Sequence, residues 1–173
     1  MIRAQLSYVA EACGGERVGR DVPFAGVTTD SRKPCTGRLF IPLSGPSYNG
    51  HDYCESAMKS GAAAFIWPND VLLPDSLRDH PHVRVADPLL ALQALATAYR
   101  SSLSIRVVAV TGSNGKTSTK DLSAAVLSTC YQTYKTPGNL NSHIGLPLCV
   151  LEWDDRTEVA VLEMGMRGLG EIA

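Results

Sequence analysis

No stretch of this 173-residue chain approaches the roughly 20 consecutive apolar residues that a membrane-spanning helix requires. Charge of one sign is equally scarce. The formal net charge is −1, and acidic and basic residues are interleaved rather than blocked, which leaves no basic face for nucleic acid. The five cysteines, Cys13, Cys35, Cys54, Cys130 and Cys149, form no CxxC pair, so the spacing of a zinc finger is missing. Their odd number, in a chain expected to carry no secretory leader, fits a reducing compartment. Internal repeats and low-complexity tracts are also lacking. The opening run MIRAQLSYVAEACGG does not read as a signal, because Arg3, Gln5 and Glu11 interrupt it while Ile2, Leu6, Val9 and Cys13 recur at helical spacing. It predicts an amphipathic helix stopped by Gly14 and Gly15. These absences lead us to expect a soluble, cytoplasmic protein with no nucleic-acid or membrane partner.

Hydrophobic residues make up 45% of the chain, enough for a packed core. Short β-like runs at Val27 to Thr29 and Leu39 to Leu43 flank the turn-rich TDSRKPCTG. A helix is expected over Asp52 to Ser60, ended by Gly61, then the strand AAAFIW and, after a polar stretch, Val83 to Val85. Asp87 as N-cap with Pro88 at the first helical position starts a new helix. Beyond it lie a strand, a glycine-containing turn, a helix, the run YQTYK, the loop TPGNLNSHIGLP and the strand EVAVLEMG. Strands alternating with helices predict an α/β fold with a parallel sheet. The expected organisation is a small mixed α/β domain over 1–86 and the start of a parallel-sheet, phosphate-loop domain over 87–173. The second reads as truncated, because GEIA looks like the first turn of a helix without continuation.

TGSNGKTS, Thr111 to Ser118, follows the apolar run Val107 to Val110. A strand-to-helix loop aims backbone N–H groups at one point, where the helix dipole also favours an anion. Gly112 and Gly115 let the backbone approach phosphate oxygens. Together with Ser113, Asn114 and Ser118 they frame Lys116, placed for β/γ phosphates, and Thr117, placed for Mg²⁺. The strict G-x-x-x-x-G-K-[ST] pattern is not met, since Val110 holds the first glycine position; a Gly-Asn turn before a surface lysine is the plain alternative. Glu163 ends the run VAVLE, where ligands of parallel sheets bind, and suits Mg²⁺ directly or through water; otherwise it is a solvated acid. Asn139, Asn141 and His143 either line a nucleotide and acceptor cleft or belong to a structured turn. TTDSR and LSGPSYNGHD suit a diphosphate and a pyrimidine ring, or are two polar turns.

Taken together, TTDSRKPCTGRLFIPLSGPSYNGHDYCESAMKSGAAAFI resembles the UDP-sugar-binding amino-terminal domain of Mur ligases of the MurE and MurF types. AVTGSNGKTSTKD is similar to the family's ATP loop, and TPGNLNSHIGLPL and VLEMGMRGLGEIA resemble the MurF type. MurE-type enzymes usually show Ser-Ser-His after the acidic strand, where this chain has Met-Gly-Met-Arg. The resemblance implies an ATP- and Mg²⁺-dependent, monomeric ligase of cell-wall precursor synthesis that joins D-alanyl-D-alanine to UDP-N-acetylmuramoyl-tripeptide through an acyl phosphate. It implies that Lys116 holds the β/γ phosphates and that Thr117 and Glu163 hold Mg²⁺. Asn139, Asn141 and His143 would shape the reacting site, and Asp30, Ser31, Arg32 and Ser47 would contact the UDP end. The resemblance covers only the first domain and the opening of the central one, so the isolated chain is expected to be inactive. The rival expectations are a MurE-type, amino-acid-adding ligase and a non-catalytic nucleotide-binding fragment.

Overall fold

Short apolar runs separated by turns give two parallel-stranded sheets in the computed structural model, which describes residues 1–45, 48–166 and 168. The chain divides into two compact units, Met1–Leu95 and Ala96–Ala173. Ser47 and the terminal GEIA lie outside the described residues.

The first unit begins with a departure from expectation. Arg3–Gln5 is a strand (β1), and helix α1 covers only Leu6–Cys13. The reason is tertiary. β1 pairs antiparallel with Pro23–Ala25, and its flanks are tied by Gly26 N–H to the Ile2 carbonyl (2.8 Å) and Leu6 N–H to the Val22 carbonyl (3.0 Å). Ile2 stays buried with Leu6 and Val9, so the apolar spacing was real, although Ile2 lies just before β1 and only Leu6, Val9 and Cys13 fall on α1. No neighbouring side chain caps α1; Asp21 does so from across the turn, accepting from Ser7 N–H and hydroxyl at 2.8 and 2.7 Å. Gly14, at φ 62°, ends the helix in the left-handed conformation that glycine adopts without strain.

β2 (Glu16–Val18) and β3 (Pro23–Ala25) follow, then β4 (Val27–Thr28), β5 (Leu39–Phe40), helix α2 (Cys54–Lys59), β6 (Ala64–Pro68) and β7 (His82–Val85). A five-stranded sheet runs β2-β7-β6-β5-β4, parallel except for β2. One side carries a core of Cys35, Phe40, Cys54, Ala57, Ala62, Phe65, Trp67 and Leu77. Trp67 satisfies its indole N–H on the Val71 carbonyl at 2.9 Å, as a buried tryptophan needs.

Helix α3 (Pro88–Ser101) spans the division between the units. Asp87 caps it, accepting from Leu89 and Leu90 N–H at 2.7 and 3.1 Å, as the Asp-Pro start signal predicts. In the second unit β8 (Arg106–Val110), β9 (Thr133–Lys135) and β10 (Val159–Glu163) form a parallel sheet ordered β8-β10-β9, with helix α4 (Lys116–Leu127) between β8 and β9. The end of the stretch read as a loop is instead helix α5 (Gly145–Leu151). Ile105, Trp153, Ala160 and Leu162 form this unit's core, and Tyr99 fixes the chain by donating to the Trp153 carbonyl at 2.9 Å.

Candidate functional site

β8 delivers its chain directly into Thr111–Gly115, all exposed. Two positions in this loop require glycine: Gly112 at φ 145° and Gly115 at φ 76°. Gly115 is the N-cap of α4 and supplies no side-chain cap, so the helix's first amides and its dipole face the open loop. Lys116 folds back over that loop, its ammonium donating to the Gly112 carbonyl at 2.6 Å and the Ser113 carbonyl at 3.4 Å. Ser118 is exposed in the first turn of the helix.

Register places the acid beside this loop, because Glu163 of β10 sits opposite Val110 of β8. The Glu163 carboxylate accepts from the Thr117 hydroxyl on Oε2 and from the Asn141 amide on Oε1, both at 2.9 Å. Its own N–H donates to the Thr136 hydroxyl at 3.0 Å. Glu163 is 4% exposed. Burial pushes its carboxyl upward, but the hydrogen bonds from Asn141 and Thr117 and the charges of Lys120 and Lys116 outweigh this, leaving it below the ordinary glutamate value. It is therefore a buried anion at neutral pH. Asn139 and His143 are exposed on the same loop, and the Asn139 carbonyl accepts from Asn141 N–H at 2.8 Å. Gly165 N–H donates to the Asn141 carbonyl at 2.9 Å, and a Cβ on Gly165 would lie only 3.2 Å from that oxygen. The strand end and the loop are thus clasped together.

Two members of this arrangement escaped the sequence reading. Lys120, 3% exposed, donates to the Thr136 carbonyl at 3.2 Å and lies 3.7 Å from Glu163 Oε2; Thr136 is 1% exposed. The spacing of Lys120 four residues after Lys116, on one helix face, was a readable signal for the first. Nothing local marks Thr136.

In the first unit, a cavity of about 400 Å³ is lined by Thr29, Asp30, Ser31, Arg32, Phe40, Leu43, Tyr48, Gly50 and Tyr53. It gathers three of the four residues singled out from TTDSR and LSGPSYNGHD. Arg32 is turned onto Asp30, with Nε at 2.8 Å from Oδ1 and Nη2 at 3.0 Å from Oδ2. That holds Asp30 down at about 2, through the Arg32 side chain first and its backbone N–H second. Tyr48, inside LSGPSYNGHD, and Tyr53, one residue beyond it, also line the cavity half exposed and were not among the expected contacts.

The profile described as "Mur ligase family, catalytic domain" matches residues 23–100, and that of the "Mur ligase middle domain" matches residues 110–173. UDP-N-acetylmuramoyl-tripeptide--D-alanyl-D-alanine ligase of Bacillus subtilis is 47% identical over 99% of this chain. The chain belongs to the Mur ligase family. A ligase of the same name from Escherichia coli is 41% identical over the whole chain. Among solved Mur ligases, MurF from Acinetobacter baumannii superposes on 99% of the chain with a TM-score of 0.90 at 28% identity, which bears out the mixed α/β, parallel-sheet expectation. MurF from Thermotoga maritima, solved in complex with ADP, matches 86% with a TM-score of 0.74 at 33% identity. The chain spans 38% of the length of the Bacillus ligase and 37% of that of the Escherichia one. Among the described residues no helix is long and apolar enough to cross a membrane.

Proposed function

We propose that residues 1–86 bind the UDP end of UDP-N-acetylmuramoyl-tripeptide and that residues 87–173 hold Mg²⁺-ATP. Both would serve an ATP-dependent ligase that adds D-alanyl-D-alanine to that tripeptide. The observation that carries this is the 2.9 Å meeting of the Thr117 hydroxyl and the Glu163 carboxylate beside the glycine loop. A helix N-terminus, a lysine, a hydroxyl and one ionised acid converge there, as a magnesium nucleotide requires. Among the described residues no cluster of three or more His, Cys, Asp or Glu could cage a metal. One carboxylate and one hydroxyl instead suit Mg²⁺, which keeps several waters and takes phosphate oxygens as its remaining ligands. Bound Mg²⁺ supplies neutralisation of phosphate charge.

In this reaction the tripeptide carboxylate attacks the γ-phosphate of ATP and expels ADP to give an acyl phosphate, and the dipeptide amine then displaces inorganic phosphate, losing a proton as the amide forms. Two anions must approach, so the protein's work is alignment and charge compensation. Lys116 exchanges the Gly112 and Ser113 carbonyls for the β/γ phosphates. The loop N–H groups of Thr111 to Gly115 and the Ser118 end of the first turn cradle the phosphate chain. Glu163 enters the reaction already ionised, and Asn141 fixes its rotation by binding Oε1. Asn139 and His143 line the same cleft toward the acceptor. At the other site Asp30, Ser31, Arg32 and Ser47 contact the diphosphate and ribose, with Arg32 using its outward N–H groups. Tyr48 and Tyr53 offer aromatic faces to the uracil. The full-length protein works as a monomer in the cytoplasm.

Isothermal titration tests both halves. UDP-N-acetylmuramoyl-tripeptide should bind the chain without nucleotide and bind Arg32→Ala at least several-fold more weakly. Mg²⁺-ATP affinity should fall by roughly ten-fold or more in Lys116→Ala, the loss of one charge-assisted contact. Unchanged affinities in folded variants would sink the respective assignment.

A further inference from the structure

Lys120 is a lysine in the wrong place for a lysine: its side chain is only 4% exposed, and ammonium groups enter an interior only with partners. Its neighbours are few and specific. It donates to the Thr136 carbonyl at 3.2 Å and lies 3.7 Å from both Asp121 Oδ1 and Glu163 Oε2. Asp121 is half exposed and already bound by Lys135 at 2.8 Å. The carboxylate that depends on Lys120 is therefore Glu163, which is itself buried. The oxygen facing Lys120 is the same Oε2 that accepts from Thr117, the one turned toward the glycine loop.

We propose that Lys120 is a positioning residue that holds Glu163 from behind and, by its fixed charge, makes the Thr117–Glu163 pair a poor site for a bare divalent cation. The cation is then retained only together with a nucleotide's phosphates. This rests on the reading of Thr117 and Glu163 as the magnesium ligands. Like and unlike charges balance here at short range. A cation on Oε2 meets one carboxylate and, close behind it, one ammonium that cannot move away because Thr136 anchors it. The attraction of the single acid is largely offset. Arriving phosphates add negative charge on the open side, where the loop and Lys116 receive it, and only then does the sum favour the cation. Free metal would therefore not block the loop ahead of nucleotide.

The test uses Mn²⁺ as a paramagnetic stand-in, with free ion counted by electron paramagnetic resonance, in the presence and absence of ADP. Lys120→Met, and Lys120→Gln as a variant that can still bind the Thr136 carbonyl, should take up Mn²⁺ without ADP at least ten-fold more tightly than the parent chain. Adding Glu163→Gln should erase that gain, and Lys120→Arg should stay within two-fold of the parent. A lysine that merely supports packing gives the opposite sign, because a loosened Glu163 binds Mn²⁺ more weakly. Equal or weaker Mn²⁺ binding by the folded neutral variants overturns the proposal, as does a ten-fold gain in Lys120→Arg, which alone decides if neither neutral variant folds. If the parent retains Mn²⁺-ADP while the neutral variants show no gain, this inference falls alone. If the parent fails to bind Mn²⁺-ADP at all, the metal-nucleotide reading falls with it.

Discussion

Asp30 and Arg32 stand two residues apart, and the guanidinium closes on the carboxylate with two hydrogen bonds. The folded carboxyl titrates at about 2, below its ordinary 3.8. A depressed folded value means that the pair's stabilisation is complete above the ordinary carboxylate value and is lost as pH falls from there through about 2. Carbon-detected NMR titration of Asp30 should show this midpoint. Arg32→Ala should raise it only part of the way to 3.8, because the backbone N–H of residue 32 still donates to Oδ1 at 3.1 Å. Added salt should raise the parent's midpoint, since Arg32 is exposed and screening reaches it. A midpoint that ignores both changes would mean that Arg32 does not rest on Asp30 in solution.

Between β5 and α2 the chain turns through Gly50, where a Cβ would stand 2.2 Å from the Leu43 carbonyl oxygen and 2.7 Å from the Leu43 nitrogen. Backbone cannot rotate aside as a flexible side chain can. Gly50→Ala should displace Leu43, destabilise the protein by about 1–3 kcal/mol, lower Tm and weaken the proposed binding of a UDP substrate, because both residues line the cavity. A melting temperature and affinity equal to the parent's would show that the turn is not packed this tightly. Elements built from local signals were legible beforehand. Asp87-Pro88 announced α3, and the glycine loop announced the β8-to-α4 connection, because a cap and a turn are chemistry between near neighbours. β1 was not legible. Its three residues pair with Pro23–Ala25, and a partner that far along the chain overrides a helical spacing that continues into α1. α5 was hidden for another reason: the glycine- and proline-bearing GLPL that opens it reads as loop.

For the molecule as a whole, β8 holds apolar residues yet lies at the edge of its sheet. Among the described residues it pairs only with β10, and Val107 and Val108 are 38% and 39% exposed. An exposed apolar edge templates further strand pairing. The 173-residue chain should therefore self-associate increasingly with concentration, and Val107→Lys should weaken that association in sedimentation velocity. Equal sedimentation of the two proteins at every concentration would contradict it. The candidate site was legible by halves for a related reason. Lys116 and Thr117 follow from eight consecutive residues and Lys120 from its helical spacing to Lys116, whereas Thr136 joins Glu163 only through a contact that no local pattern records.

Thr117 is 46 residues from Glu163 in the chain, and Thr136 is 27. During synthesis the glycine loop therefore leaves the ribosome well before the strand that completes it. At roughly 5–20 residues per second the interval lasts a few seconds. Throughout it, β8 and α4 lack the strand they pack on, and Lys120 lacks the buried carboxylate of Glu163. In that window the edges of β8 and β9 that β10 later pairs with are open, which is where mispairing and chaperone binding are expected.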